Sequence, residues 1–331
     1  MGSIRKRESV FFKKITMSNL DYILPAVAVE LLEKELNKTT YVRNTNKLNN
    51  EVYIVNHHNS PNVMQEIGRL RELTFATSGG GTGKTVDIDE LDTCENCYQQ
   101  LIIWEPEAKE IVGGYRFIDC SIAMNGNEIN LSTKYYFNFT DKFITDYLPK
   151  TIELGRSWIQ PKYQPQNSRK GLFSLDNLWD GLGAVVVSNP EIEYFFGKVT
   201  MYSDYNLEAK KGVLAFMNTL FPDTDKMVTP IHPIHTDIDK SEILNLLEVP
   251  KGETAEEKLA EYKVAHRVLQ KFVRDLDAKI PPLINNYMQL SPSMKSFGTA
   301  ENPDFGGVEE TGILIKLDDI YLDKKQRHLE F

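Results

Sequence analysis

Cysteine is scarce in this chain: Cys94, Cys97 and Cys120 are all it has. An odd, small number cannot build a disulfide framework, so free thiols in a reducing compartment are expected. Long apolar runs are missing as well. No stretch reaches the roughly 18 consecutive apolar residues of a membrane-spanning helix. Basic charge is also short. With 38 Lys and Arg against 47 Asp and Glu the formal net charge is −9, whereas a protein that tracks nucleic acid is usually basic, and no nucleic-acid partner is expected. The start of the chain is the exception, with Arg5, Lys6, Arg7, Lys13 and Lys14 against Glu8. No apolar h-region follows it, so a secretion signal is not expected and a cytoplasmic location is. Val10, Phe11 and Phe12 sit among these cations. Residues 5–14 therefore read either as a solvated terminus or as a peripheral contact with the anionic inner membrane face. Each cation would add about 1 kcal/mol to such a contact.

Complete catalytic motifs are missing too. No Gly-x-Ser-x-Gly elbow is present, which argues against an acyl-serine hydrolase. Residues 78–85 (SGGGTGKT) imitate a phosphate-binding loop. The pattern requires glycine where Ser78 stands, and it requires a strand before the loop, where the pattern here is helical. The acidic stretch with Asp87, Asp89, Glu90 and Asp92 follows and would repel a triphosphate. Cys94-x-x-Cys97 has no second pair with which to hold zinc, and His57-His58 and His232-x-x-His235 are equally incomplete. No metal and no resident cofactor is expected.

What remains is a mixed α and β pattern, in which 41% hydrophobic residues suffice for a substantial core. Residues 20–36 read as a helix broken or restarted at Pro25, and residues 37–50 as a polar linker. Residues 1–45 are thus an N-terminal extension and 46–331 the main domain, with a helical segment at 240–290. Strands are expected at 51–56, 100–105, 111–119, 131–138, 151–159, 194–202 and 312–317. Helices are expected at 61–75, opened by Ser60 and Pro61, and at 172–188, 206–220, 254–279 and 281–290. In the helix at 254–279, Thr254 and Glu257 make a capping box, and His266 sits on the apolar stripe as a core histidine. Consecutive strands followed by helices predict one central sheet that carries helices.

Within that frame five groups stand out. Arg71 and Phe75 lie one helical turn apart. Asp89 and Asp92 lie three apart in the acidic stretch. Arg116 closes Val112-Gly-Gly-Tyr-Arg116. Glu153 and Arg156 interrupt the apolar strand that also carries Ser157. Ser168-Arg169-Lys170-Gly171 precedes a helix. A carboxylate among Ile152, Leu154 and Trp158 is costly to bury unless it is paired or used. Glu153 is therefore either a general base or half of a buried ion pair with Arg116 or Arg156. The Arg169, Lys170 and Gly171 loop offers cations and backbone N–H groups at a helix start, which suits the phosphate of a pantetheine arm.

The order Leu70-Arg71 to Phe75, Asp87-x-Asp-Glu-x-Asp92, Val112-Gly-Gly-Tyr-Arg116 and Glu153-Leu-Gly-Arg-Ser157 resembles the carrier-protein-dependent branch of the GNAT acyltransferases. That branch includes the acyl-homoserine-lactone synthases. Closer still are the bacterial, haemolysin-like N-acyltransferases of ornithine and glycine lipid synthesis. Leu178-Trp-Asp-Gly-Leu-Gly183, Phe195-Phe196-Gly197, Pro281-Pro-Leu-Ile-x-x-Tyr287 and Asp304-Phe305 strengthen the likeness, which spans about residues 50–320. The resemblance implies a mixed, mostly antiparallel sheet flanked by helices with a helical C-terminal elaboration. It implies transfer of a 3-hydroxy fatty acyl group from an acyl carrier protein to the amine of an amino acid.

Under that implication Glu153 is the base, directly or through water. Arg71, Arg116 and Arg156 form an ion-pair network with Asp89 and Asp92, either of which could also hold the substrate ammonium. Phe75 and Ser157 line the substrate side, and Arg169, Lys170, Gly171, Phe196 and Gly197 the donor side. Acetyl-CoA enzymes of this fold carry Gln/Arg-x-x-Gly-x-Gly/Ala where this chain has Ser168-Arg-Lys-Gly171-Leu-Phe173, which favours a carrier protein over CoA as donor. The competing reading is a non-catalytic module that binds a membrane surface or a carrier protein.

Overall fold

The computed structural model describes residues 20–126, 128–234 and 255–328. Its centre is an eight-stranded sheet in the order β1-β2-β3-β4-β8-β9-β12-β11. These strands are β1 (Tyr41–Asn44), β2 (Glu51–Val55), β3 (Gln99–Glu105), β4 (Glu110–Asp119), β8 (Thr151–Ile159), β9 (Tyr194–Met201), β11 (Lys295–Asn302) and β12 (Val308–Lys316). Two small pairs lie outside it: β5 (Met124–Asn125) with β6 (Glu128–Ile129), and β7 (Phe137–Phe139) with β10 (Val228–Pro230). Within the sheet every neighbouring pair is antiparallel except β8 with β9, which run parallel. The expected mixed, mostly antiparallel sheet with flanking helices is what the chain forms.

Central strands such as β3 (QQLIIWE) are apolar on both faces because both faces are covered. On one face Leu101, Phe117, Leu154 and Phe195 pack against α4 (Ser174–Ser188), α5 (Leu207–Leu220), α6 (Ala255–Asp275) and α7 (Pro282–Met288). On the other, Ile102, Trp104 and Trp158 pack against α1 (Val29–Glu35) and α2 (Pro61–Thr77). The same face continues into a cluster of Tyr98, Ile118, Phe196 and Phe143. Pro61 occupies the first turn of α2, as its fixed φ allows. Asn206 caps α5 by accepting the Ala209 N–H at 3.0 Å.

The sheet opens between β8 and β9. They pair over four rungs only, from Thr151–Tyr194 to Leu154–Gly197. Beyond them β8 follows β4 to Ile159 while β9 follows β12 to Met201. A bulge marks the parting. From Gly114 to Arg116, β4 advances two residues while β8 advances three, from Trp158 to Gly155. Arg156 absorbs the extra residue at φ +45°. Such a bulge bends its strand and leaves a residue outside the ladder.

Several expected elements differ. The first helix begins only at Val29, after Pro25, and Tyr41–Asn44 of the expected linker pair with β2 as an edge strand. Residues 131–138 are not a strand. Ser132–Tyr135 form a 3-10 turn before the three-residue β7. Residues 295–302 are an edge strand that apolar alternation does not announce, and Gly298, at φ +89°, lies where its register shifts. Residues 5–14, Thr254 and His235 lie outside the described residues.

Candidate active site

The three arginines converge. Arg71, on the inward face of α2, places Nε 2.9 Å from Asp87 and Nη2 3.3 Å from Asp92. Arg116, on β4, meets Asp89 at 2.7 Å and Asp92 at 3.2 Å. The bulge aims Arg156 back towards Asp87, 2.9 Å away. Three cations thus balance three carboxylates, Asp87, Asp89 and Asp92. The acidic loop is folded tightly around them: in α3 (Glu90–Thr93) Asp89 and Asp92 cap each other's backbone N–H groups. Burial pushes the Asp92 carboxyl up, but Arg71 and Arg116 outweigh it and hold the group below the usual carboxylate range. Asp87 is likewise held low, with Arg156 and Arg71 overcoming burial. The network was expected for Asp89 and Asp92, while the part of Asp87 was not. Asp92 is fully buried and bonded to Arg71, Arg116 and Gln100. Its position does not suit the holding of a substrate ammonium.

Among the described residues Glu153 pairs with no arginine. Tyr98 Oη and Ser132 N–H donate to Oε2, and Thr133 N–H, at 2.8 Å, and Ser132 Oγ, at 3.3 Å, donate to Oε1. The 3-10 turn at Ser132–Tyr135 exists where a strand was expected because its first N–H groups point at this carboxylate. Burial, then the Glu153 charge, raises the Tyr98 phenol well above its ordinary pKa, so it stays a donor. Arg116 lies over the Tyr98 ring, 4.7 Å from its centre.

Where the sheet opens there is a cavity of about 210 Å³. It is lined on one side by Phe75, Arg116, Ser132, Arg156, Lys198, Thr200, Tyr202, Phe305 and Glu310. Its other side is lined by Tyr115 with Ser157 beside it, Leu154, Phe195, Leu283, Tyr287, Ile313 and Ile315. The expected Phe75, Arg116, Arg156, Ser157, Phe196 and Gly197 all line it. Glu153 does not. It sits one side chain behind, with Ser132 between it and the cavity. Arg156 also covers the Phe305 ring at 4.8 Å. Two residues here carry charge that was not singled out. Lys198 on β9 and Glu310 on β12 form a buried ion pair. Burial lowers the pKa of Lys198, and Glu310 offsets this only in part.

Other expectations fall elsewhere in the fold. Arg169, Lys170 and Gly171 do not reach the cavity wall. The Lys170 ammonium is bound to Glu105 at 3.0 Å, and the 3-10 turn Lys170–Phe173 runs straight into α4. Gly171 is packed so closely on residues 163–164 that a Cβ would lie 2.6 Å from their backbone. The glycine-rich loop is already filled. Thr82 N and Oγ1, Gly83 N and the Tyr22 hydroxyl all donate to the buried Glu72 carboxylate, at 2.7 to 2.9 Å. An internal carboxylate occupies the place a phosphate would need. His266 is a core histidine, 3.0 Å from Asn285 Oδ1, with its pKa lowered by burial. Among the described residues no group of three His, Cys, Asp or Glu side chains is placed to hold a metal ion, and no helix is long and apolar enough to cross a membrane.

Residues 70–174 match the family model of the acetyltransferase (GNAT) domain. That stretch runs from Leu70, beside Arg71, to the start of α4, and it contains Arg71, the acidic loop, Arg116, Glu153 and the bulge. The chain is 46% identical over 315 residues to a glycine N(alpha)-acyltransferase of Phocaeicola vulgatus, covering 94% of this chain and 93% of the relative. It is 48% identical over 315 residues to the glycine N(alpha)-acyltransferase of Bacteroides thetaiotaomicron, covering 94% and 90%. No solved structure matches the chain at a significant level.

Proposed function

The chain belongs to the GNAT N-acyltransferases, and on that premise we propose that it transfers a fatty acyl group from a carrier-protein thioester to the amine of an amino acid, with glycine as the acceptor. Membership of an enzyme family sets aside the alternative of a fold kept without catalysis. The observation that carries the reading is the cavity at the β8–β9 opening, which joins a charged half to an apolar half. An amino acid suits the first and a fatty acyl chain the second. Glycine is the acceptor named for both relatives.

The chemistry asks little of the protein beyond placement. A thioester is already activated, so aligning amine and carbonyl supplies much of the rate. The acceptor ammonium must first lose a proton. The C–N bond then forms, the C–S bond breaks, and a second proton from nitrogen goes to the leaving thiolate. For the first proton, Ser132 is the group through which Glu153 would act, since its hydroxyl lines the cavity and donates to the carboxylate. Backbone N–H groups of Arg156 and Ser157, at the bulge and outside the β8–β9 ladder, are suited to polarise the thioester carbonyl. Arg71, Asp87, Asp89 and Asp92 fix Arg116 and Arg156 at the cavity wall. The departure at Ser168 to Phe173 from the acetyl-CoA pattern supports a carrier protein as donor. The product would be an N-acyl amino acid, an amphiphile that a second acylation would turn into a two-chain lipid.

The test is lipid mass spectrometry of a host that makes no amino-acid lipids, expressing either the wild type or Glu153→Gln. The wild type should add an N-acyl glycine, whose mass reports both acyl chain and head group. Glu153→Gln should cut that yield by about a hundredfold. Absence of any new N-acyl amino acid would sink the reading, and full yield from Glu153→Gln would remove Glu153 from it.

A further inference from the structure

We propose that Lys198 and Glu310 form the acceptor subsite, in which the Lys198 ammonium binds the carboxylate of a zwitterionic α-amino acid and the Glu310 carboxylate binds its ammonium group. The inference rests on the proposed function only in taking the acceptor to be an amino acid.

The charges that line the cavity single this pair out. Three cations face it, Arg116, Arg156 and Lys198. Both arginines already face carboxylates, Arg116 those of Asp89 and Asp92 and Arg156 that of Asp87, although Arg116 Nε keeps an unpartnered N–H. Glu310 is the one carboxylate that lines the cavity among the described residues. A substrate ammonium inside it has no other anionic partner. The pair also keeps capacity. Of the three Lys198 donors one goes to Glu310, and the ammonium lies 4.9 Å from the centre of the Tyr136 ring. Among the described residues Glu310 Oε2 accepts only from Thr200 Oγ1, at 2.9 Å, while Asn302 Nδ2 joins Lys198 on Oε1 at 3.0 Å.

Placement fits as well. Lys198 follows Gly197, the last residue of β9 paired with β8, so its side chain stands where the sheet opens. Glu310 lies across from Thr200 on β12 and faces the same way. Buried opposite charges are costly to hold without a use, and replacing such a pair by apolar residues is often neutral or stabilising. A zwitterion laid against the pair brings one charge of each sign and leaves none uncompensated. An amine without a carboxylate would lack the contact to Lys198.

Two measurements on the full-length protein separate this inference from the function on which it rests. The first is glycine binding by saturation-transfer NMR, with and without a non-reactive thioether analogue of acyl-pantetheine. The second is turnover with glycine and with glycinamide. Wild type should bind glycine, and Lys198→Met should weaken binding by about ten- to hundredfold, as expected for a lost hydrogen bond between charged groups. In turnover, Lys198→Met should raise the KM for glycine far more than that for the donor and should erase the preference for glycine over glycinamide. Lys198→Arg should recover part of it. Because Lys198→Met leaves Glu310 without its cation, the neutral double variant Lys198→Met/Glu310→Gln guards against a fold that simply fails. Wild-type glycine affinity in the double variant, or no glycine binding by the wild type, would overturn the subsite. If glycine binds in a Lys198-dependent way but no acyl transfer follows, the subsite stands and the proposed reaction falls.

Discussion

At the scale of single residues, the charges that hold the site differ in how openly the sequence displays them. Glu153 and Arg156 interrupt an apolar strand, and that contrast draws attention to both. The same criterion applies to Lys198, the one charge in Tyr194–Met201, and would have found it. Glu310 is harder to see because Glu309 and Thr311 surround it with polar residues, and its burial depends on β11 covering the strand. The partner of Glu153 was not legible at all. An ion pair or a free base was the choice, and the actual answer is a phenol and the N–H groups of a turn 20 residues away. Asp87 gives the residue-scale prediction. Its carboxyl is held low against burial by Arg156 and Arg71. A depressed pKa contributes stability that is complete above the unfolded value, near pH 4, and is lost as pH falls through the folded value. Asp87→Asn should therefore cost about 3–5 kcal/mol at neutral pH, the cost of breaking a buried pair. It should also flatten the acid limb of stability below about pH 4. Urea unfolding from pH 7 downwards would measure both, and an acid limb as steep as that of wild type would refute the assignment.

At the scale of elements, apolar alternation and runs located β2, β3, β4, β8, β9 and the second half of β12, together with α2 and the helices from α4 to α7, because those segments face the core. It missed β1, whose Tyr-Val-Arg-Asn sequence suits an edge strand that buries little, and β11, whose buried residues Ser296, Thr299 and Asn302 are polar and so break any apolar alternation. It also missed the opening between β8 and β9, which is a property of two strands together. The opening starts where Gly197 meets Leu154, and a Cβ on Gly197 would stand 2.4 Å from the Leu154 carbonyl oxygen. That neighbour is backbone, so the strands must part. Gly197→Ala should extend the unzipping by a rung and cost about 1–3 kcal/mol of overpacking strain. It should lower kcat more than it raises the KM for glycine, because the strand that carries Lys198 moves relative to Gly155. Thermal melts and steady-state kinetics would test this, and a variant with wild-type Tm and kcat would show that the rung does not set the geometry.

At the scale of the whole molecule, the cavity passes through the sheet from face to face. Successive β9 residues show it: Phe195 belongs to the core under α4 and α5, Phe196 to the core on the opposite face, and both line the same space. On β12 Ile313 and Ile315 point to the first face and Glu310 to the second. Two substrates can therefore approach from opposite sides of one sheet and meet at its opening. In the proposed reaction the acceptor would sit among Arg156, Lys198 and Glu310, and the acyl chain would extend past Leu154 towards Leu283 and Tyr287. The half that takes the chain is bounded by Pro281, Pro282 and Leu283 at the start of α7. Filling that end should shorten the longest chain accepted without touching the acceptor. Leu283 is only partly buried, so Leu283→Trp should cost little stability, within about 1–3 kcal/mol. Its N-acyl products should shift to shorter chains, with the KM for glycine nearly unchanged. Competition between donors of graded chain length, with the products resolved by mass, would show the shift. An unchanged chain-length profile would mean that the acyl group does not lie on the α7 side of the sheet, and the two-sided arrangement would then have to be abandoned.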